Sequence, residues 1–396
     1  MGKKRLKGAL SFLAALIIGA LVPAWPAHAQ NLETSALETS AASAVLMDPV
    51  TGEVLFEKAP HERREPASIT KIMTLLLGIE AVEQGRIKLD DLVVTSENAR
   101  AQSDTDGSVV FLEQGEKRTV EELLIGIAVG SGNDACVALA EHVAGSEAKF
   151  VELMNARAAE LGMKNTHFVN CHGMPAENHY TSAYDVALMS REAVKHPQLL
   201  KYTAIYEYRF RENPLLILWN TNKLLAWYED VVDGLKTGWT EKAGYCLAAT
   251  GKKNGFRLVS VVLGCPAPRS HFQEAIKLLN YGFANYTSLP VAQKGEIKAT
   301  LPVVHGAERQ VGLACAEDLA VTIPKGEEDK VSYQIKLEAE VVKAPVEQGT
   351  PLGSLTAFKD GKPVGEVALV AAQGIDVVSW GELFQRILRG WFAAGS

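Results

Sequence analysis

Apolar residues recur along this chain in two rhythms. After Pro66, the residues Ile69, Ile72, Met73, Leu76 and Ile79 keep helical spacing, and a proline suits the first turn of such a helix. The same spacing predicts helices over 120–129 and 135–143, broken by Gly130-Ser131-Gly132-Asn133, and another over 149–161. Short apolar runs bounded by turn residues predict strands instead. They lie at 44–47 and 53–56 around Asp48-Pro49-Val50-Thr51-Gly52, and at 245–250 and 256–263 around Gly251-Lys252-Lys253-Asn254-Gly255. Strand chemistry returns after Gly234, and 272–286 is helical in pattern. The order is two strands, a block of helices, three strands and one helix. That order predicts an α+β fold, an antiparallel sheet shared by the first and last strands with the helical block inserted between them.

Past Tyr286 the pattern changes to short alternating runs, such as 319–323 and 333–337, with turns such as Asp360-Gly361. A small all-β domain over 287–375 is expected. At the end, Trp380, Leu383, Phe384, Ile387, Leu388 and Trp391 fall on one helical stripe, with Glu382, Gln385, Arg386 and Arg389 between them. This predicts an amphipathic helix over 376–396 that lies on a membrane surface; packing against the β domain is the plainer alternative.

The beginning of the chain alters the charge balance. Lys3, Lys4, Arg5 and Lys7 precede an apolar run from Ala9 to Val22, and Ala27-His28-Ala29 follows. This is the layout of a secretory signal peptide, expected over 1–29, and the run is too short for a spanning helix. The segment 30–42 is small and polar, a flexible lead-in to an exported domain expected over 30–286. Removing the signal deletes four cations and no acid, which takes the net charge from −7 to −11. An acidic protein is a poor partner for nucleic acid, and none is expected. The 396 residues are 47% hydrophobic and 22% charged, which excludes a disordered or fibrous chain. Five scattered cysteines (Cys136, Cys171, Cys246, Cys265, Cys315) contain no C-x-x-C, and an odd number is not a closed disulfide framework. They are expected as small buried apolar residues.

Three short motifs carry candidate chemistry. Ser68-Ile69-Thr70-Lys71 puts a hydroxyl and an amine one helical turn apart. A serine needs a base to become a nucleophile, and a buried lysine can serve. The same pattern recurs at Ser146-Glu147-Ala148-Lys149, in a charged stretch, and is read there as chance. Ser131-Gly132-Asn133 sits in the break between two apolar helices, either as a cap or as a hydroxyl and an amide presented to a cleft. Ser96-Glu97-Asn98 matches it as well. Lys236-Thr237-Gly238 occurs once and leads into strands.

In this order the three motifs are the signature of serine enzymes acylated by penicillin. The whole chain resembles the low-molecular-mass penicillin-binding proteins, serine-type D-Ala-D-Ala carboxypeptidases with a β-lactamase/transpeptidase-like catalytic domain. The resemblance implies that Ser68 attacks the peptide carbonyl between two D-alanines. Lys71 would take its proton, and Lys236 would help keep Lys71 neutral. Ser131 would pass a proton to the leaving D-alanine, and Asn133 would bind the substrate amide. The backbone N–H groups of Ser68 and Trp239 would hold the oxyanion beside Gly238. Thr237 and Arg269 would bind the terminal carboxylate; a solvated loop charge is the alternative for Arg269. Trp239 departs from the residue some relatives carry there.

The implied partners are the peptidoglycan pentapeptide, β-lactam antibiotics as inhibitors, and the outer leaflet of the cytoplasmic membrane, with no cofactor. A metal site is not expected either, since His167, Cys171, His172 and His179 lack the spacing of common zinc sites. Two rivals are a β-lactamase and a tethered wall-binding module with an inactive site. The first would use a glutamate in an E-x-x-L-N segment, which is absent between Ser131 and Lys236; Glu177 has other neighbours.

Overall fold

The computed structural model describes residues 37–393. The expected signal peptide lies outside the described residues, as do the side chains of Ile387, Leu388, Arg389 and Trp391.

A five-stranded antiparallel sheet organises the first part of the chain. Its order is Val54–Lys58, Ser43–Met47, Phe256–Cys265, Gly244–Lys253 and Val232–Thr240. The first strand of the chain therefore shares a sheet with the late strands, as the element order predicts, and pairs directly with the last of them. Strand alternation sends successive side chains to opposite faces. Val45, Met47, Val259, Val261 and Leu263 join the core of the helical block. Leu46 and Leu258 point the other way and meet Gly282 of the helix Ser270–Asn285. Both faces are covered, which is why the central strands read as continuous apolar runs.

The helical block is built around Lys71–Glu83, whose residues from Lys71 to Ile79 are all buried. The helices Val120–Gly130, Asn133–Ala144, Glu147–Glu160 and Ala183–Ala193 pack around it. Val120–Gly130 begins with a reciprocal cap. Thr119 Oγ1 accepts the Glu122 N–H, and the Glu122 carboxylate accepts the Thr119 N–H. The sequence did not announce the helix Ala183–Ala193 or two short strand pairs, Leu92–Val94 with Lys117–Thr119 and Glu207–Arg211 with Leu216–Trp219.

The β region begins at Tyr286. A six-stranded sheet and the pair Tyr286–Ala292 with Leu319–Pro324 enclose a separate core that includes Leu301, Leu313, Ile323, Leu355 and Leu369. Thr322 of this region donates to the buried Asp48 carboxylate, which ties it to the first hairpin of the sheet. The last helix is Trp380–Ala393. Arg386 donates to the carbonyls of Gly306 and Ala307 on the β region, while Trp380 and Phe384 stand 87% and 63% exposed. No described helix is long and apolar enough to cross a membrane. All five cysteines are free and buried.

Candidate active site

Pro66 is followed by a tight turn, Ala67–Thr70, which runs directly into the helix Lys71–Glu83. Ser68 is thereby held at the mouth of the helical block, and Lys71 is fully buried beneath it. The Lys71 ammonium donates to Ser68 Oγ at 2.9 Å and to the His172 carbonyl at 2.6 Å. That carbonyl arrives through a glycine. Gly173 has φ 91°, and a Cβ there would lie 1.9 Å from the Ala67 carbonyl oxygen. Only glycine tolerates both the conformation and the approach.

Ser131 is not the N-cap of the helix that follows it. It ends Val120–Gly130 in a left-handed conformation, φ 58°, and Gly132 takes the N-cap position of the next helix. Ser131 Oγ and Asn133 Nδ2 are buried and have no hydrogen-bond partner among the described residues. Buried polar groups are normally paired, so the pair is poised for something that enters the cleft. The neighbouring Asp134 accepts N–H bonds from Val110 and Leu112 and so fixes the opposite wall. On that wall Gly107 lies so close that a Cβ would sit 2.0 Å from Asn133 Nδ2.

Lys236 comes from the edge strand Val232–Thr240. It is fully buried and donates to the Thr237 carbonyl at 3.1 Å. Burial, and then the Lys71 charge, bring its ammonium down to about 7; burial also lowers Lys71. Two cations in one desolvated space favour loss of a proton from the pair. Thr237 Oγ1 lies 2.6 Å from Thr221 Oγ1. Gly238 lets the strand run against the Ser68 turn, since a Cβ would meet the Pro66 carbonyl at 3.0 Å.

These groups converge. Ser68, Ser131, Asn133, Thr237, Gly238, Trp239 and Arg269 all line one cleft of about 620 Å³, with Lys71 and Lys236 buried outside its lining. Arg269 is exposed, with φ 69° at the start of the helix Ser270–Asn285. Sequence reasoning missed His271 two residues further on. Its ring lines the cleft and stacks on Tyr245, with centroids 5.4 Å apart. Its Nδ1 is buried without a partner among the described residues, and burial pushes the imidazole down to about 4. Nothing in the pattern around Ser270-His271-Phe272 marks that role, because tertiary packing alone brings the ring to the cleft. Thr221, Lys223 and Asp106 also line the cleft without a motif to signal them.

The histidine-rich loop is bound up in local structure. His179 Nδ1 accepts the Val169 N–H at 3.0 Å, so its Nε2–H donates to Thr70 Oγ1 at 2.9 Å. Burial keeps His179 near 4 and His172, with the Lys71 charge beside it, near 3. His167 Nδ1 meets the Asn178 carbonyl, and the Cys171 thiol donates to Glu147. The repeated motifs resolve as well. Ser146 and Ser96 each cap a helix, accepting the N–H of Lys149 and of Ala99.

Comparison with known proteins gives the family. Residues 30–267 match the D-alanyl-D-alanine carboxypeptidase family, and 286–377 match the C-terminal domain of penicillin-binding protein 5. The chain is 40% identical to D-alanyl-D-alanine carboxypeptidase DacF of Bacillus subtilis, over 96% of this chain and 98% of that protein. It is 35% identical to DacA of Escherichia coli, over 88% of each. Among solved structures it resembles penicillin-binding protein 5 from Haemophilus influenzae, with TM-score 0.75 and 34% identity, over 86% of this chain and 98% of that one. Penicillin-binding protein D2 from Listeria monocytogenes, in its ampicillin-bound form, matches 62% of this chain and 98% of its own, with TM-score 0.56 and 29% identity. An S-x-x-K turn, an inter-helix S-x-N and a K-T-G strand around one cleft, carried on a chain matched from residue 30 to 377, place this protein in the D-alanyl-D-alanine carboxypeptidase family of penicillin-binding proteins.

Proposed function

We propose that this protein is a serine carboxypeptidase that removes the terminal D-alanine from peptidoglycan stem pentapeptides through a Ser68 acyl-enzyme. The observation that carries the assignment of roles is the 2.9 Å contact between Lys71 and Ser68, with the second buried lysine on the adjoining strand. A lysine accepts a proton only when neutral, and burial favours that state. Ser68 Oγ attacks the carbonyl as its proton passes to Lys71. The developing oxyanion takes N–H bonds from Ser68 and Trp239. Ser131 relays a proton to the departing amine, and D-alanine leaves with its carboxylate between Thr237 and Arg269. Asn133 holds the substrate amide. Water then attacks the ester, its proton returns through Lys71, and the tetrapeptide is released. β-Lactams would acylate the same oxygen. Neither a metal nor an organic cofactor enters these steps. A β-lactamase reading has less support, because Glu177 is not among the residues that line the cleft.

The test is D-alanine release from a soluble pentapeptide ending in D-Ala-D-Ala, for the wild type, Ser68→Ala and Ser146→Ala. Release and penicillin labelling lost only in Ser68→Ala would support the assignment. Folded wild type that neither releases D-alanine nor takes up penicillin would leave the tethered wall-binding module.

The same reading places the protein outside the cytoplasm, peripheral on the outer face of the cytoplasmic membrane. The exposed Trp380 and Phe384 support a helix that offers its aromatic face to lipid, while Arg386 holds it to the β region. Co-sedimentation with phosphatidylglycerol vesicles should fall when residues 380–396 are removed; equal sedimentation of both chains would exclude the attachment.

A further inference from the structure

The helix Glu147–Glu160 lines no part of the cleft, yet its first residue reaches the segment on which the proposed base rests. A first-turn carboxylate commonly faces the free N–H groups of its own helix. Here Ser146 accepts one of those, from Lys149, and Glu147 turns to another part of the chain. Glu147 Oε1 accepts the Cys171 N–H at 3.2 Å and the Cys171 thiol at 3.3 Å. His172 Nδ1 accepts the Met174 N–H at 3.3 Å, so its Nε2 carries the proton and faces the same carboxylate oxygen at 3.7 Å. Three groups on two consecutive residues therefore converge on one oxygen. The other bonds of the segment do not replace this tie. Asn170 Oδ1 accepts the N–H groups of His172 and Gly173, which shapes the turn from within. Thr74 donates to the Cys171 carbonyl and Lys71 to the His172 carbonyl, but both donors belong to the helix Lys71–Glu83. Glu147 ties the segment from outside that helix, and it takes the N–H of a fully buried residue.

The consequence rests on the reading of Lys71 as the base. A neutral amine has two N–H donors and one lone pair. With one N–H fixed on the His172 carbonyl at 2.6 Å, the lone pair is left for the Ser68 hydroxyl, 2.9 Å away. The carbonyl aims the base. We propose that Glu147 is a positioning residue for acylation, holding Cys171 and His172 so that the His172 carbonyl stays against Lys71. Without the carboxylate, the buried Cys171 N–H must find another acceptor, and the backbone that carries the carbonyl shifts. A misplacement of about 1 Å, caused far from the chemistry, can cost about a hundredfold in rate. The same carbonyl also favours the charged form of Lys71, so its withdrawal lets the amine lose its proton at lower pH. The other titratable groups that face Lys71 are Lys236 on the strand, Asp134 and Cys136 on the helix Asn133–Ala144, and Cys171 and His172 on the segment itself. Glu147 reaches the last two directly.

The test measures the second-order rate of acylation by penicillin as a function of pH, in the full chain. Glu147→Ala removes the acceptor. Glu147→Asp keeps a charge suited to the first turn but falls one methylene short of Cys171, and Glu147→Gln keeps an oxygen at full reach. The rate should fall about tenfold or more in Glu147→Ala and severalfold in Glu147→Asp, with the rising limb of the pH profile at lower pH in both. Glu147→Gln should stay within about twofold of the wild type, since its oxygen still accepts. A helix that is merely loosened lowers the folded fraction and leaves the limb in place. Glu147→Asp reports even where Glu147→Ala does not fold. An unchanged rate and limb in folded Glu147→Asp, or a lower rate with an unmoved limb in both variants, would overturn the inference and leave the carboxypeptidase intact. Glu147→Gln as slow as Glu147→Ala would overturn it as well. Wild type that penicillin does not acylate would remove the carboxypeptidase reading and the inference together.

Discussion

The chain contains the S-x-x-K pattern twice, and the two copies meet different fates. In both, a serine and a lysine stand one helical turn apart. Ser68 lies in the turn that leads into a buried helix, and its lysine is sealed in the core with the serine hydroxyl and one carbonyl as acceptors. Ser146 caps a surface helix, and its lysine is exposed to water. The Ser146 hydroxyl accepts a backbone N–H, so it is spent on the helix; the Ser68 hydroxyl accepts from an amine that can give up its charge. The motif supplies geometry in both places. Burial supplies chemistry in one.

The largest expected difference between the copies follows from the proton that Lys71 accepts in the proposed mechanism. Lys71→Arg keeps the positive charge but removes a base, because a guanidinium does not deprotonate in a protein. D-Alanine release should fall on the order of 10³-fold or more, within the range that loss of a general base produces. Lys149→Arg should leave kcat/KM where it was. Activity retained in Lys71→Arg would mean that the proton leaves Ser68 by another route, with Ser131, which lines the same cleft, as the hydroxyl to test.

Much of the contrast was legible in the sequence, for a physical reason. A serine and a lysine in an apolar helix stand out because polar groups there serve no packing purpose, and Pro66 marks where the turn begins. That the first and last strands share a sheet followed from the element order, and both hairpins from their turn residues. Other parts left no local trace. His271 belongs to the cleft only because Tyr245 lies beneath its ring. Gly173 looks like any loop glycine until the Ala67 carbonyl is placed against it. The strands Glu207–Arg211 and Leu216–Trp219 are only five and four residues long; Tyr208 and Phe210 alternate with charged neighbours in the first, but the second is apolar throughout, so neither run stands out by itself. The helix Ala183–Ala193 hides its start at Ser182, whose side chain accepts the Asp185 N–H, inside a loop rich in polar residues.

A smaller effect separates the lysines through stability. In the folded protein Lys236 titrates near 7, against 10.5 for an unperturbed lysine. Between those values the unfolded chain binds the extra proton, so stability rises with pH across that window. Below it the folded state carries the full cost of a buried ammonium. Lys236→Met should therefore melt at a higher temperature than the wild type at pH 6.5, and the gap should close by pH 10.5. That gain would come with loss of activity, the trade expected where a site is held in a strained charge state. A melting temperature that rises with pH equally in both proteins would trace the dependence to other groups.

The smallest effect belongs to the second copy of the motif. Ser146→Ala removes the hydroxyl that accepts the Lys149 N–H at the start of the helix Glu147–Glu160. Loss of an N-cap serine costs about 1 kcal/mol, which corresponds to a melting temperature lower by about 2 °C in a chain of this size. Catalysis should not change, because this helix places no residue in the cleft lining. The helix does touch the site at one remove, through Glu147, which accepts from the Cys171 backbone and thiol just before His172. A rise in KM in Ser146→Ala, beyond what the lost stability explains, would show that the cap holds Glu147 and, through it, the carbonyl on which Lys71 rests. The two copies would then be one structural unit, and the second would no longer be a coincidence of composition.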